Sequence, residues 1–365
     1  MMKNRRVDYL DMVKGIGIIL VVMGHSEYLA KNALAVIYSF HMPLFFIVSG
    51  MINCHIREYE RPIGQLIKKK FCTLMIPYAV FSLIYLVIYG GIFCGGKGYL
   101  GVEAIKEYAM QAISLDGMSV LWFLSTLFFA QVLFAGIRKM CGRRVTYLIL
   151  TVLVIAVFLV KTQVLEMLPV QTLWEKGIAG FVRVLLRAII GAGFLAIGDI
   201  TMTLLNRFDG YMQARFGEKK VAGQMAAELV FGVTGLVLVT VLGLHSGGID
   251  MHTLRFGNPT YACICAYIGT MALVFICRNL KQQRWLAYLG ANSLIIMVTH
   301  LDCQFMLLSI RVGQFFAALS PIAKWFCLYF GIVLGMTILE LVAIYIVNHF
   351  IPFVIGKPYQ RRVHK

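Results

Sequence analysis

The chain has 365 residues, of which 60% are hydrophobic and only 14% are charged, and its mean hydropathy is +0.80. Soluble domains carry about 25% charged residues, so this composition excludes a soluble globular protein and indicates a polytopic membrane protein. The formal net charge is +17, yet no basic run is long enough to form a groove for nucleic acid, and we expect no nucleic-acid partner.

Apolar runs of membrane-spanning length follow one another along the whole chain. They lie near residues 11–28, 34–54, 70–94, 120–138, 146–162, 177–202, 223–243, 260–278, 285–303 and 319–349. No loop between them is long enough to hold a second folded unit. We therefore predict an all-α, polytopic integral membrane protein with about ten transmembrane helices, forming a single domain over residues 1–365.

Basic residues are distributed unevenly among the loops between these runs. Lys and Arg are about three times as numerous in every second loop, counted from the N-terminal segment, as in the other loops. Cytoplasmic loops of membrane proteins are enriched in Lys and Arg. This alternation predicts that both termini are cytoplasmic, and we expect a multi-pass protein of a cell membrane, the bacterial plasma membrane in particular.

The first run, "DMVKGIGIILVVMGHSE", carries a lysine and a histidine inside apolar sequence. Lys14 and His25 are eleven residues apart, which puts both on one helix face and separates them by roughly 16 Å along the axis. Asp11 precedes Lys14 by three residues and is positioned to pair with it. Lys14 could instead anchor the helix at the membrane surface, and His25 could be a structural histidine. Ionisable groups inside membranes are nevertheless usually functional.

Two further histidines lie at the same predicted depth as His25. His41 begins the second run at its outer end, and His300 lies near the outer end of the ninth. Acidic residues flank two of the three histidines: Glu27 follows His25, and Asp302 follows His300. A histidine oriented by a carboxylate is a suitable general base for a hydroxyl group.

Two arginines share one face of the sixth run, because Arg183 and Arg187 are four residues apart. Neither can favourably face lipid, so both should point into the helix bundle or a wet cavity. A second polar layer is predicted in the inner half of the bundle, formed by Lys14, Asp199, Glu228 and Glu340. Two polar layers indicate a core that holds a ligand or is traversed by one. Polar residues that only join helices are the alternative.

The basic inner loop "LIKKKF", with Lys68, Lys69 and Lys70, could receive an anionic donor from the cytoplasm. One end of the bundle would then hold a phosphate-bearing donor while the other activates an acceptor. The same layout suits a proton-coupled transporter, and spacing alone does not choose between them. The nine cysteines are scattered singly, with no C-x-x-C and no Cys/His pairing at zinc spacing, so no metal site is indicated.

Several short motifs occur in a fixed order from residue 7 to about 303. They are "YLDMVKGIGIILVVMGHS", "FHMPLFFIVSG", a basic stretch leading into "LMIPY", the segment "WFL", and "LGANSLIIMVTH". Together they resemble the integral-membrane acyltransferase family 3, especially its fucose 4-O-acetylase-like branch. The sequence departs from the family pattern at Lys14, where the family usually has Arg, and at Thr73, where it has a second basic residue.

The resemblance implies transfer of an acyl group, commonly acetyl from cytoplasmic acetyl-CoA, to a hydroxyl of a sugar or cell-envelope glycan. It implies that His25 is the catalytic histidine, and we expect His300 to position the acceptor or relay the proton. Direct transfer and an acyl-histidine intermediate both stay open. The predicted donor-binding residues are Lys14, Lys68, Lys69 and Lys70. The predicted acceptor-site residues are His41, Glu27, Trp122, Arg183, Arg187, Asn292 and Ser293.

Two other function classes compete with this interpretation. A small-molecule transporter or exporter would use the same intramembrane charges, and a non-catalytic membrane scaffold would leave them without a purpose. For the enzyme, the expected partners are the sugar or glycan acceptor and the lipid bilayer. Acyl-carrier or glycan-assembly proteins are further candidate partners. No metal is expected.

Overall fold

A computed structural model describes residues 8–25, 29–94, 99–216, 221–245, 249–303, 305–319 and 324–357. The helices are α1 (Asp8–Gly24), α2 (Lys31–Tyr38), α3 (His41–His55), α4 (Ile63–Lys70), α5 (Ile76–Cys94), α6 (Tyr99–Ile113), α7 (Trp122–Met167), α8 (Leu173–Phe216), α9 (Val221–His245), α10 (Pro259–Asn279), α11 (Arg284–Ala291), α12 (Ser293–Thr299), α13 (Phe305–Leu319) and α14 (Lys324–His349). A π-helical turn, Phe71–Met75, joins α4 to α5. The strands β1 (Ile249–Asp250) and β2 (Arg255–Phe256) form a small antiparallel hairpin.

Within these ranges, seven helical segments are long and apolar enough to cross a membrane. They are Lys31–His55, Ile63–Gly91, Ser119–Met167, Leu173–Arg215, Gly223–His245, Pro259–Asn279 and Lys324–His349. The prediction of an all-helical, multi-pass membrane protein is confirmed. The count of about ten spans and the cytoplasmic termini stay predictions.

Helix α7 reverses direction at Gly142, whose φ of 75° and ψ of 174° are not helical. Ala130 packs beside Gly191 of α8, and Val154 packs beside Gly193 of the same helix. In a straight helix Ala130 and Val154 would lie about 36 Å apart, so the two arms of α7 must fold back to flank one level of α8. The runs predicted at 120–138 and 146–162 are these two arms.

Four runs predicted as single helices are interrupted or shorter in the structure. The helix of run 34–54 breaks between α2 and α3, and run 285–303 is two short helices that meet at Asn292, the second ending at Thr299. The helix of run 11–28 ends at Gly24. The helix of the last run, α14, begins at Lys324 and not at residue 319. Helix α13, which no predicted run covered, packs against α14. Hydropathy reports the apolar length of a segment but not a local backbone break.

The described residues group into two compact units. The first comprises Met1–Lys69, Thr126–Pro169 and Val182–Ala291, and the second comprises Lys70–Ser125, Val170–Phe181 and Asn292–Lys365. In the first unit, α1 packs against α3, α10 and α11. Its contact with α11 is so close that a Cβ atom on Gly290 would lie 1.8 Å from the Asp11 carbonyl oxygen. Only glycine permits this approach.

In the second unit, α12 is held by polar contacts at its C-terminal end. The Thr299 hydroxyl donates to Glu340 of α14 at 2.8 Å, and the Tyr85 hydroxyl of α5 donates to the Val298 carbonyl at 2.6 Å. Each bond satisfies a polar group inside apolar surroundings, where an unpaired group is costly. These contacts fix the position of the residue that follows α12.

We expect Gly290→Ala to lower the free energy of unfolding by about 2 kcal/mol, because α1 and α11 must move apart to admit the methyl group. Thermal unfolding in detergent would measure the loss. Gly136→Ala in α7 is the matched control, since a Cβ there meets no atom within 4 Å. Equal melting temperatures for the two variants would contradict the close packing of α1 on α11.

Candidate active site

One end of α1 brings two of the predicted site histidines together in the first unit. His25 follows the last residue of α1 and is half-buried. The Tyr38 hydroxyl donates to the Gly24 carbonyl at 2.8 Å, and the Tyr38 ring packs edge-on against the His41 ring with their centroids 5.1 Å apart. Tyr38 therefore joins the end of α1 to the start of α3.

His41 is the first residue of α3 and is only 3% exposed. Its Nδ1 lies 2.8 Å from the Ile37 carbonyl oxygen. A carbonyl oxygen only accepts hydrogen bonds, so Nδ1 carries the proton, and in the neutral ring Nε2 keeps the lone pair. His25 directly follows Gly24, which accepts the Tyr38 hydrogen bond, so Tyr38 links the backbone beside His25 to the His41 ring.

Helix α8 runs parallel to α3 and brings Arg187 to the level of this histidine pair. Phe46 packs against Gly191, and further along both helices Cys54 Sγ lies 3.4 Å from Thr203 Oγ1. Arg187 is one turn before Gly191 and hence at the level of the first turn of α3. It is 1% exposed, as expected for an arginine that cannot face lipid.

Arg183 lies one further turn along α8 and is half-buried. At the other end of α1, Lys14 Nζ contacts Asp11 Oδ1 at 2.8 Å, so the pair expected from their spacing is present. Glu27 lies outside the described residues. In the first unit the structure thus brings His25 and His41 together, with Arg187 at the level of His41.

The predicted donor lysines differ in their surroundings. Lys69 Nζ lies 2.8 Å from Oε1 of Glu58, a carboxylate that is fully buried. Lys68 is exposed, whereas Lys70 is half-buried and belongs to the second unit. The Lys69 charge is therefore already engaged in balancing a buried carboxylate.

The second unit holds the remaining predicted residues. His300 is fully buried directly after α12, with Nδ1 3.0 Å from the Ile296 carbonyl oxygen, so its Nε2 also keeps the lone pair in the neutral ring. Asn292, at the break before α12, accepts a 2.8 Å hydrogen bond from Asn348. Trp122 is buried at the start of α7.

Ser293 opens α12 and is half-buried. The turn Ser119–Leu121, which directly precedes Trp122, packs against α12. Trp122 and the segment that carries Ser293 and His300 therefore lie in one neighbourhood of the second unit.

An arginine-lined cavity at the other end of α3 went unrecognised in the sequence. It has a volume of about 430 Å³ in the first unit. Its lining residues are Asn53, Cys54, Arg57, Tyr59, Glu60, Arg138, Arg143, Thr203, Asn206 and Arg207. The four arginines lie in loops that the charge pattern identified as basic, but the sequence offered no reason to bring those loops together.

A buried carboxylate organises this cavity. Asp199 is fully buried, and its Oδ2 lies 2.8 Å from Arg138 Nη1 and 3.2 Å from Arg143 Nη2. The Tyr147 hydroxyl donates to the same oxygen. Two guanidinium groups are thus held in place by one carboxylate inside the protein, an arrangement that fixes their orientation.

Tyr59 forms the apolar side of the cavity. The Arg138 guanidinium lies 5.3 Å from the centroid of the Tyr59 ring, a distance suited to cation–π attraction. Burial raises the pKa of Tyr59 above its ordinary value, and the Asn53 amide donates to its hydroxyl at 3.0 Å. The ring therefore stays neutral at physiological pH and presents its face to the arginine.

In the part of the chain that the structure describes, no three His, Cys, Asp or Glu residues are grouped closely enough to hold a metal ion. A family model described as an acyltransferase domain matches residues 7–341, which is nearly the whole chain. No curated protein matches the chain, and no solved structure matches it.

We expect Asp199→Asn to lower the free energy of unfolding by about 3 kcal/mol, because two arginines would lose the charge that balances them. Asp209→Asn is the matched control. Asp209 is 40% exposed, and its partner Arg278 also contacts Glu228 at 3.2 Å, so its loss should cost less than about 1 kcal/mol. Thermal unfolding in detergent that ranked the two variants equally would contradict the role assigned to Asp199.

Proposed function

Because the chain belongs to the acyltransferase 3 family and is therefore a membrane acyltransferase, we propose that it transfers an acyl group to oxygen. The donor is cytoplasmic acyl-CoA, acetyl-CoA in the first instance. The acceptor is a hydroxyl of a sugar or cell-envelope glycan, as the fucose 4-O-acetylase-like motifs suggest. We place the protein in the bacterial plasma membrane, where such acceptors are accessible.

The position of His25 is the observation that carries this proposal. It is half-buried directly after α1, next to buried His41 and joined to it through Tyr38. A half-buried imidazole can reach a bound hydroxyl while staying largely shielded from bulk water, which suits a general base. We assign His25 as the catalytic base.

In the proposed reaction, His25 is the proton carrier. Its imidazole takes the proton of the acceptor hydroxyl as the oxygen attacks the thioester carbonyl carbon. The new C–O bond forms, the C–S bond breaks, and the imidazolium returns its proton to the departing CoA thiolate. An attack by His25 itself, through an acyl-histidine, would use the same residues in two steps.

The remaining predicted residues are proposed to bind the two substrates. Lys14, Lys68, Lys69 and Lys70 stay sequence-based predictions for donor binding. Lys14 and Lys69 already pair with Asp11 and Glu58, so exposed Lys68 has the charge most accessible to a donor. His41 of the first unit is proposed to contact the acceptor. Glu27, Trp122, Asn292 and Ser293 stay sequence-based predictions for acceptor binding, and His300 stays one for acceptor positioning or proton relay. Arg187, buried at the level of His41, and Arg183 supply fixed positive charge near the carbonyl oxygen, where negative charge develops during the attack.

We expect His25→Ala to reduce acetyl transfer by about 10²- to 10⁴-fold, the usual contribution of a general base. The assay combines the purified protein in detergent with radiolabelled acetyl-CoA and a panel of envelope sugars. His55→Ala, which removes an exposed histidine at the far end of α3, is the matched control and should retain full activity.

Two results would overturn the proposal. A folded His25→Ala protein with normal turnover would remove His25 from catalysis. If wild-type protein transfers no label from any acyl-CoA to any sugar, but moves a solute into proteoliposomes without a donor, the transporter alternative would replace the enzyme.

We expect Tyr38→Phe to lower kcat about fivefold with an unchanged KM for acetyl-CoA. The variant keeps the ring on His41 but loses the hydrogen bond to Gly24, worth about 1 kcal/mol, that positions the residue before His25. Tyr345→Phe is the matched control, since that ring also packs on a histidine, His349. A rise in KM with constant kcat would show that Tyr38 does not position His25.

A further inference from the structure

The arginine-lined cavity collects positive charge from segments far apart in the sequence. Arg57 follows α3, Arg138 and Arg143 lie on either side of the reversal in α7, and Arg207 lies in the C-terminal part of α8. The charge pattern predicts all three segments on the same side of the membrane. Their meeting at one cavity agrees with that arrangement.

We propose that this cavity binds the phosphoryl groups of the nucleotide part of the acyl donor. The inference rests on the proposed use of acyl-CoA, whose nucleotide carries a 3′-phosphate and a pyrophosphate. It assigns donor recognition to four arginines that no motif in the sequence singled out. Guanidinium groups bind phosphate oxygens through paired, charge-assisted hydrogen bonds.

The charge balance of the cavity favours an anion. Four guanidinium groups face two carboxylates, those of Glu60 and Asp199. Asp199 engages Arg138 and Arg143. Arg57 and Arg207 form no ion pair with any residue in the described part of the chain. Two arginines are thus organised by the protein, and two remain for a ligand.

The organised pair is held in place before any ligand arrives. Asp199 and Tyr147 hold Arg143, whose Nε donates to the Tyr147 hydroxyl at 2.7 Å. Asp199 and the Tyr59 ring hold Arg138. Side chains that are already ordered lose little conformational entropy on binding.

Backbone strain provides a second, independent observation. Arg57 has a φ of 52°, a left-handed conformation that usually follows a helix only when the residue is glycine. An arginine at this position is a less stable choice than glycine. The chain therefore keeps a strained residue in the lining of the cavity, which is typical of functional positions.

The cavity and the histidine pair lie at opposite ends of α3. His41 and Cys54 are thirteen residues apart, about 20 Å along the helix axis. A CoA thioester is itself an extended molecule, with its phosphates at one end and the reactive carbonyl at the other. Helix α3 thus separates the proposed phosphate site from the histidine pair by a distance that an extended CoA thioester can span.

The test uses Cys54, a half-buried thiol in the cavity wall. Purified full-length protein is treated with a maleimide in the presence of adenosine 3′,5′-bisphosphate, and labelled thiols are identified by mass spectrometry. We expect the bisphosphate to slow labelling of Cys54 while exposed Cys141, which does not line the cavity, reacts at its normal rate. Undiminished labelling of Cys54 at saturating bisphosphate would overturn the proposal.

Three arginine variants test whether the cavity arginines cause the protection of Cys54. Arg207→Gln should weaken the protection of Cys54 about tenfold, the effect of losing one charge-assisted contact. Arg57→Gly should also weaken it while raising the melting temperature, because the strain is relieved. Arg144→Gln is the matched control, an exposed arginine beside Arg143 that does not line the cavity, and should leave protection intact.

The same experiments distinguish a CoA phosphate from a lipid phosphate. They also distinguish failure of this inference from failure of the proposed function. Protection by phosphatidylglycerol vesicles but not by the bisphosphate would assign the cavity to a lipid headgroup and contradict the proposal. If wild-type protein transfers acetyl but Arg207→Gln and Arg144→Gln have equal KM values for acetyl-CoA, only this inference fails. If no transfer occurs but the bisphosphate protects Cys54 in an Arg207-dependent manner, the phosphate site stands and the proposed function fails.

Discussion

The close, parallel packing of α3 on α8 is the contact on which the proposed chemistry depends. Phe46 against Gly191 and Cys54 beside Thr203 fix the two helices in register. That register puts Arg187 at the level of His41 at one end, and it sets Asp199 near the arginines at the other. An apolar bundle can keep charged groups only where other groups balance or solvate them, so this packing determines where polar chemistry is possible.

The spacing of residues within one predicted helix was enough to predict features that lie within that helix. The three-residue interval between Asp11 and Lys14 indicated an ion pair, which forms, and the apolar surroundings of Arg187 indicated its burial. The break at Asn292 was missed because apolar length says nothing about a local change of backbone direction. Helix α13 was missed because it has only 15 residues and contains Arg311.

The arginine-lined cavity shows why features that depend on contacts between distant segments could not be predicted from the sequence. Its guanidinium groups come from three segments, and the carboxylate that orders two of them lies more than fifty residues from either, at Asp199. The sequence identified each basic segment but only as evidence of membrane orientation. Which loops meet depends on the tertiary packing of α3, α7 and α8, and no local pattern encodes it. The strain at Arg57 is likewise visible only in the backbone.

We propose that this membrane protein joins an acyl group to a hydroxyl oxygen. The most direct measurement is mass spectrometry of envelope sugars after incubation with the purified protein and acetyl-CoA, alongside titration of the free thiol released. We expect sugar that is heavier by one acetyl group, in an amount equal to that of the CoA thiol. Thiol release without acetylated sugar, or neither product with any acceptor, would contradict it.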